Sequence, residues 1–277
     1  MSKNKKIFTL INFIFYNYYI LKYLGGIILN FIKIPNDFVQ EYIYNNETVY
    51  VYGLIQKMIT LRGKIILNLL WLYNELNINS NNKRMKDKIK NGLIQLKNDN
   101  YIDFDINCLE NVNKIMFINI NNINNYYVKI KDYEFDKIHN YKNANVYKLF
   151  ITFANLKSRC GNNGQCFPSF EQIKKDTGIK SDKTLTNYLH ILRDELKLIL
   201  YDNPGMGVLK NKNGKYVVKQ LNNIYTMNYE GYDQMLKETI KYRKNKLDRY
   251  YDKIKKDNSV NKRRSESMIK YHAEKSK

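Results

Sequence analysis

The chain has 277 residues, enough for two ordinary domains that each bury a core, and its 44% hydrophobic and 14% aromatic content excludes a largely disordered protein. With 47 Lys+Arg against 26 Asp+Glu the net charge is +21, which points to a polyanionic partner, because released counterions drive basic surfaces onto phosphate backbones. A bias toward AT-rich codons accounts for part of the Lys, Asn, Ile and Tyr content, but not for the charge imbalance. Cys108, Cys160 and Cys166 form no even set, which indicates a reducing compartment without a disulfide framework. Cys160 and Cys166 belong to no CxxC and have no paired His, which argues against zinc.

Residues 1–30 read as a separate N-terminal apolar element. MSKNKK followed by IFTLINFIFYNYYIL imitates the charged and apolar regions of a signal peptide. No small-residue cleavage site follows, and Asn12, Asn17, Lys22 and Asn30 interrupt the run before the roughly 20 apolar residues that a membrane span needs. The preferred reading is an amphipathic element that covers the first domain or a dimer interface. A membrane-tethered adaptor using residues 7–32 as its anchor is the alternative.

The remainder carries a degenerate internal repeat. Phe31–Ile34 (FIKI) resembles Tyr127–Ile130 (YVKI), and Val51–Ile55 resembles Val146–Phe150. The stretch from Asn68 to Ile78 aligns with Ser169 to Ile179, and Met85, Ile89 and Leu96 fall opposite Leu185, Leu189 and Leu196. Each unit predicts a strand, a first helix (51–60 and 146–158), an extended KII or QCF, and a second helix capped by Asn68 or Ser169. A tight turn, a third helix (82–97 and 182–197) and a closing hairpin follow. This is the winged-helix order. The expected fold is α+β and mostly helical: two winged-helix domains in tandem, over 31–120 and 126–232, with a basic C-terminal helix. The Asn-rich run from Asn119 to Asn125 reads as the linker.

In the first domain, Lys83, Arg84, Lys86 and Lys90 make the third helix basic, although Ile94 interrupts its polar face. The second helix, NLLWLYNELN, is apolar nearly all round and includes Trp71, so it needs burial on both sides. Two readings stand side by side: a dimerisation domain built on the Trp71 region with some phosphate contact, or a full DNA reader.

The second domain carries the sharper signal. At about 100° per residue, Lys183, Thr184, Thr186, Asn187, His190 and Arg193 fall on one side of the third helix. Leu185, Tyr188, Leu189, Leu192 and Leu196 fall on the other. A cationic, hydrogen-bonding front on an apolar back suits an element lying in a DNA major groove, where Asn pairs bidentately with adenine. Asp194 breaks the cationic face and is expected beyond the DNA contact. An isolated helix of this kind would read as a merely solvated face, but FPSFEQIKKDTGIKSD before it and a hairpin after it favour DNA. That hairpin spans residues 199–227 with NKNG as its turn, and Lys210, Lys212, Asn213 and Lys215 could reach a minor groove or phosphates. Residues 233–277 hold 15 basic and 7 acidic side chains, a surplus of +8, and read as a basic helix with a break near Asn258–Ser259 and a flexible end.

The chemistry expected is binding, with no enzyme, cofactor or metal. Gly63-Lys64 and Gly214-Lys215 lack the earlier glycine and the following Ser/Thr of a P-loop. His139, His190 and His272 build neither the paired-His site of relaxases nor a nucleophile grouping. The segment FPSFEQIKKDTGIKSDKTLTNYLHILRDELKLI resembles the helix-turn-helix of replication-associated and regulatory proteins on plasmids and phages of Gram-positive bacteria, and tandem winged helices resemble theta-type plasmid replication initiators. The resemblance implies binding to repeated AT-rich origin sites on double-stranded DNA without an ATPase, in the cytoplasm on the nucleoid or plasmid, with host replication proteins as further partners. It makes Lys183, Thr184, Thr186, Asn187 and His190 the specific readers. The alternative is a transcriptional, partition or conjugation-accessory regulator built from the same parts.

Overall fold

The computed structural model describes residues 31–58, 64–121 and 126–275. The apolar element expected over 1–30, and residues 122–125 of the expected linker, lie outside the described residues. The protein is α+β and mostly helical, with small antiparallel sheets.

One order of elements occurs twice. The first run is β1 (Phe31–Pro35), α1 (Asn36–Gln40), α2 (Asn46–Lys57), β2 (Lys64–Leu67), α3 (Leu69–Glu75), α4 (Lys83–Asn98), β3 (Ile102–Asp103) and β4 (Met116–Ile120). The second is β5 (Tyr127–Lys131), α5 (Asp132–His139), α6 (Val146–Cys160), β6 (Gln165–Cys166), α7 (Phe170–Thr177), α8 (Asp182–His190) and β7 (Ile199–Asp202). It then adds the hairpin of β8 (Met206–Lys210) and β9 (Tyr216–Gln220) before its last strand, β10 (Ile224–Met227), and α9 (Tyr232–Lys275) follows. The sequence reading misses α1 and α5, which at 5 and 8 residues are too short for a helical period to stand out.

Matching local chemistry repeats with the order. Asn45 Oδ1 accepts from Thr48 N (2.8 Å) at the start of α2, and Asn145 Oδ1 accepts from Lys148 N (3.0 Å) at the start of α6. The Asn45 cap starts α2 at Asn46, about a turn earlier than the apolar pattern suggests. Asn68 and Ser169 cap α3 and α7 as expected, accepting from Trp71 N (2.7 Å) and Gln172 N (3.1 Å). After the third helix of each run the backbone turns left-handed, at Asn100 (φ 62°) and Lys197 (φ 53°). An asparagine just beyond the last strand holds each turn. Asn121 Nδ2 donates to Asn100 O (2.8 Å), and Asn228 Nδ2 donates to Lys197 O (3.0 Å). The strand orders β2-β4-β3 and β6-β10-β7 are therefore the same arrangement built twice.

By its contacts the chain divides into two compact units, one up to Ser158 with Asp176–Gly178 and the other Arg159–Lys175 with Ile179 onward. The division does not fall at the Asn-rich run. The reason is the antiparallel pairing of β1 with β5, which ties the opening strand of the second run to that of the first. Ile32 pairs with Ile130 and Ile34 with Val128, and all four are buried. Lys33 pairs with Lys129, the repeat-equivalent residue, so a local two-fold axis passes between them. On the opposite face Lys33 Nζ sits 4.9 Å from the Tyr127 ring and Lys129 Nζ sits 5.0 Å from the Phe31 ring. Inside the same unit Tyr50 stacks on Phe135 (5.3 Å) and meets Tyr147 and Phe150 edge-on (5.2 and 5.4 Å). Its hydroxyl bonds His139 Nδ1 at 2.5 Å, and His139 Nε2 lies 3.1 Å from Glu75 Oε1.

In the second unit, α9 lies against β7, β8 and β10. Leu236 is buried, and Tyr232, Met235, Thr239, Ile240, Arg243, Leu247 and Tyr250 are half-buried, a stripe at helical spacing. From Tyr251 to Ile269 every residue is exposed. The expected break near Asn258–Ser259 is absent, and the helix is continuous. Ser259 Oγ donates to Lys256 O (2.7 Å), so its hydroxyl is satisfied without interrupting the backbone ladder. No helix among the described residues is long and apolar enough to cross a membrane.

In the first unit α4 comes close to α2 at Gly92, where a Cβ would stand 2.2 Å from Thr48 Oγ1. Thr48 cannot easily yield, since it is buried and its hydroxyl donates to Asn45 Oδ1 (3.0 Å). In an exposed helix Gly→Ala stabilises by up to about 1 kcal/mol. Gly92→Ala is expected to reverse that sign and destabilise the unit by about 1–3 kcal/mol, as overpacking does. Urea denaturation checks it, and Thr48→Ala in the same chain should restore part of the loss.

Candidate nucleic-acid interface

The candidate site grows from α7, a turn and α8. Gly178 has φ 65°, a conformation that lets the chain reverse within a few residues. Ser181 then caps α8, its Oγ accepting from Thr184 N at 3.5 Å. Lys174 Nζ meets Asp182 Oδ1 at 2.6 Å, which pairs the acid in the first turn of α8. Leu185, Tyr188, Leu189 and Leu192 are buried, while Lys183, Asn187 and His190 are exposed and Thr184, Thr186 and Arg193 half-buried. The helix is two-sided as its spacing predicts.

Its end differs from the expected plain α-helix to residue 197. After His190 the chain makes one wider π turn over Ile191–Glu195, and Leu196 N donates to Ile191 O (2.9 Å) across five residues. The side chains on this turn form a knot. Arg193 donates from Nε to Asp194 Oδ1 (2.7 Å) and from an Nη to Asp194 Oδ2 (2.9 Å). Its guanidinium lies 4.6 Å from the Tyr201 ring centre, and the same Nη is 3.0 Å from His190 Nδ1. His190 Nδ1 also stands 3.2 Å from Asp194 Oδ2. Hydrogen bonding from Arg193 holds the Asp194 carboxyl down at about 2, and the same bond raises the Arg193 pKa further. Arg193, expected among the outward cations, is thus largely spent on Asp194 and Tyr201. The cationic, hydrogen-bonding front that remains is Lys183, Thr184, Thr186, Asn187 and His190.

The hairpin supplies a second basic surface in the same unit. Asn211 builds its tip: Oδ1 accepts from Asn213 N (3.0 Å) and Lys215 N (2.9 Å), and Gly214 takes φ 74°. Lys210, Lys212, Asn213 and Lys215 are all exposed on this tip, with Lys210 Nζ 5.4 Å from the Tyr216 ring. The tip is braced from outside, since Tyr250 of α9 donates its hydroxyl to Tyr216 O (3.3 Å) and packs ring to ring with Tyr216. Arg243, one helical stretch earlier, lies over Phe167 at 4.4 Å, and burial lowers its pKa.

In the first unit Lys83 and Arg84 are exposed at the start of α4. Lys86 is instead half-buried, donating to Ser80 O (2.6 Å) over the Tyr73 ring, and Lys90 is half-buried. Trp71 is half-buried on α3, between the buried Leu69 and Leu72. Sequence spacing misses Tyr201 and Tyr250, because each acts across elements and no periodicity marks such a contact. Among the described residues no group of His, Cys, Asp and Glu could hold a metal ion. No known protein family matches the chain, and no curated protein is detectably similar to it.

The knot gives a direct prediction. Asp194 should titrate at about 2 in the native protein, by carboxyl carbon NMR, and return toward 3.8 in Arg193→Ala. A depressed folded-state pKa stabilises the protein above the ordinary carboxylate range, and that contribution is lost as pH falls through about 2. An Asp194 that titrates near 3.8 in both proteins would show that the Arg193 contact does not persist in solution.

Proposed function

We propose that the chain is a sequence-specific double-stranded DNA-binding protein. In this reading the second unit is a winged helix, with α8 as its recognition helix in the major groove and β8–β9 as its wing. The observation that carries the proposal is the outward row of Lys183, Asn187 and His190, exposed, with Thr184 and Thr186 half-buried beside them, on a capped helix that follows a short turn, beside a basic hairpin, in a chain of net charge +21. Asn187 and His190 present donors and acceptors to base edges, while Lys183 and the wing lysines 210, 212 and 215 neutralise phosphates. The exposed stretch of α9 adds Lys262, Arg263 and Arg264 as phosphate contacts. Arg193 contributes little as a free charge while Asp194 holds it.

The biological event we infer is initiation of plasmid or phage replication at repeated AT-rich sites. The duplicated run of elements supports this reading, because two related modules suit binding to repeated or extended sites. Promoter, partition or transfer-site regulation uses the same parts. Direct repeats in the selected DNA favour initiation, and a single inverted repeat favours regulation.

Selection of genomic fragments with the purified protein should yield a defined site. Asn187→Ala is expected to cut the preference for that site over unrelated DNA by about 1–3 kcal/mol, roughly 5- to 150-fold, with the fold retained by circular dichroism. Equal loss on all sequences would place Asn187 on the backbone instead. Replacing Lys262, Arg263 and Arg264 together with Gln should leave that preference intact and reduce the slope of log affinity against log salt by up to about 0.9 per lost phosphate contact. An unchanged slope would remove α9 from the DNA interface.

A further inference from the structure

The two repeated sheets differ on their outer faces. In each, the strand after the left-handed turn starts two residues beyond it, and it pairs Ile102 with Ile120 in one sheet and Ile199 with Met227 in the other. Counting back three residues puts Phe117 of β4 and Ile224 of β10 at the same register. Ile224 is 0% exposed, whereas Phe117 is 60% exposed. Ile66, which pairs with Phe117, is 43% exposed, and Ile115, two residues before Phe117 on the same side, is 41% exposed.

The cover over Ile224 is α9. Thr239 Oγ1 donates to Gln165 Oε1 (3.0 Å), and Gln165 pairs with Thr226, two residues from Ile224 and therefore on its face. Arg243 lies over Phe167, the next residue of that edge after Cys166. Among the described residues the β2-β4-β3 sheet has no counterpart to α9, because β4 is followed within a few residues by β5. A branched residue beside an aromatic one at the centre of an open face is the kind of apolar patch that marks a docking surface.

We infer that residues 7–21 of this same chain dock on the outer face of the β2-β4-β3 sheet, over Ile66 and Phe117. Within IFTLINFIFYNYYIL, 12 of 15 residues are apolar and none is charged, so the segment needs an apolar surface to lie on. It precedes β1, which belongs to the same unit as the open face. Residues 22–30 between them reach up to about 30 Å when extended, enough to cross a unit of this size. The segment plays for the first sheet the part that α9 plays for the second. The surface is protein-facing and independent of the DNA reading.

The test keeps the full chain. p-Benzoyl-phenylalanine in place of Phe117 preserves an aromatic at the site and, on irradiation at low micromolar concentration, should cross-link within one chain to a peptide from residues 7–21, identified by mass spectrometry. A covalent dimer would show that a second copy covers the face, and no cross-link to residues 7–21 would show that the segment lies elsewhere; either overturns the inference. As a second readout, Phe117→Asp should release the segment and increase flotation with phosphatidylcholine–phosphatidylglycerol vesicles several-fold over the unsubstituted protein. Equal flotation of the two proteins contradicts docking at Phe117.

Discussion

The antiparallel pairing of Phe31–Pro35 with Tyr127–Lys131 decides how a duplicated sequence becomes two unlike units. Its buried face of Ile32, Ile34, Val128 and Ile130 removes four branched side chains from water, and its other face carries two lysines, each lying on an aromatic ring of the opposite strand. Because Lys33 and Lys129 are repeat equivalents, the pairing is self-complementary, as between the two halves of a symmetric dimer. A covalent link between the halves makes that contact permanent. The consequence is asymmetric: β5, α5 and most of α6 join the first unit, and the second keeps α8, the β8–β9 hairpin and α9.

The copies have diverged where function would be expected to act. In the first, α4 is a regular helix of 16 residues that spends Lys86 internally, and Lys88 pairs with Glu47 at 2.8 Å. In the second, α8 keeps an outward polar row and ends in a π turn that gathers His190, Arg193 and Asp194 against Tyr201. Turns of this kind recur at functional sites because they re-aim side chains at the cost of a regular backbone ladder. Here the turn takes one cation out of the exposed row and fixes the orientation of His190. The tip of the β8–β9 hairpin is likewise fixed, by Asn211 from within and by Tyr250 from α9.

Much of this was legible in the sequence, for reasons that particular residues make clear. Leu185, Leu189 and Leu192 recur at helical spacing and Asn68 and Ser169 precede apolar runs, so the helix faces and two caps follow from local rules. The turn residues Asn211 and Gly214 announce the hairpin. What escaped was non-local. Nothing in FIKI or YVKI says that each is the other's partner, so the strand pairing that ties the two runs together has no local mark in the sequence. The Arg193 knot escaped because Tyr201 reaches it from the following strand. The helix runs unbroken through Asn258–Ser259 because a long helix tolerates weak helix formers once its first turns are anchored on a sheet.

The central claim is that the front of α8 enters a major groove. Methylation interference on the selected DNA site tests it most directly, because dimethyl sulfate marks guanine N7 in the major groove and adenine N3 in the minor groove. The account predicts that N7 methylation at guanines within a core of a few base pairs blocks binding, with any N3 interference confined to the flank contacted by the wing. Interference from N3 methylation alone, or from neither, would contradict it.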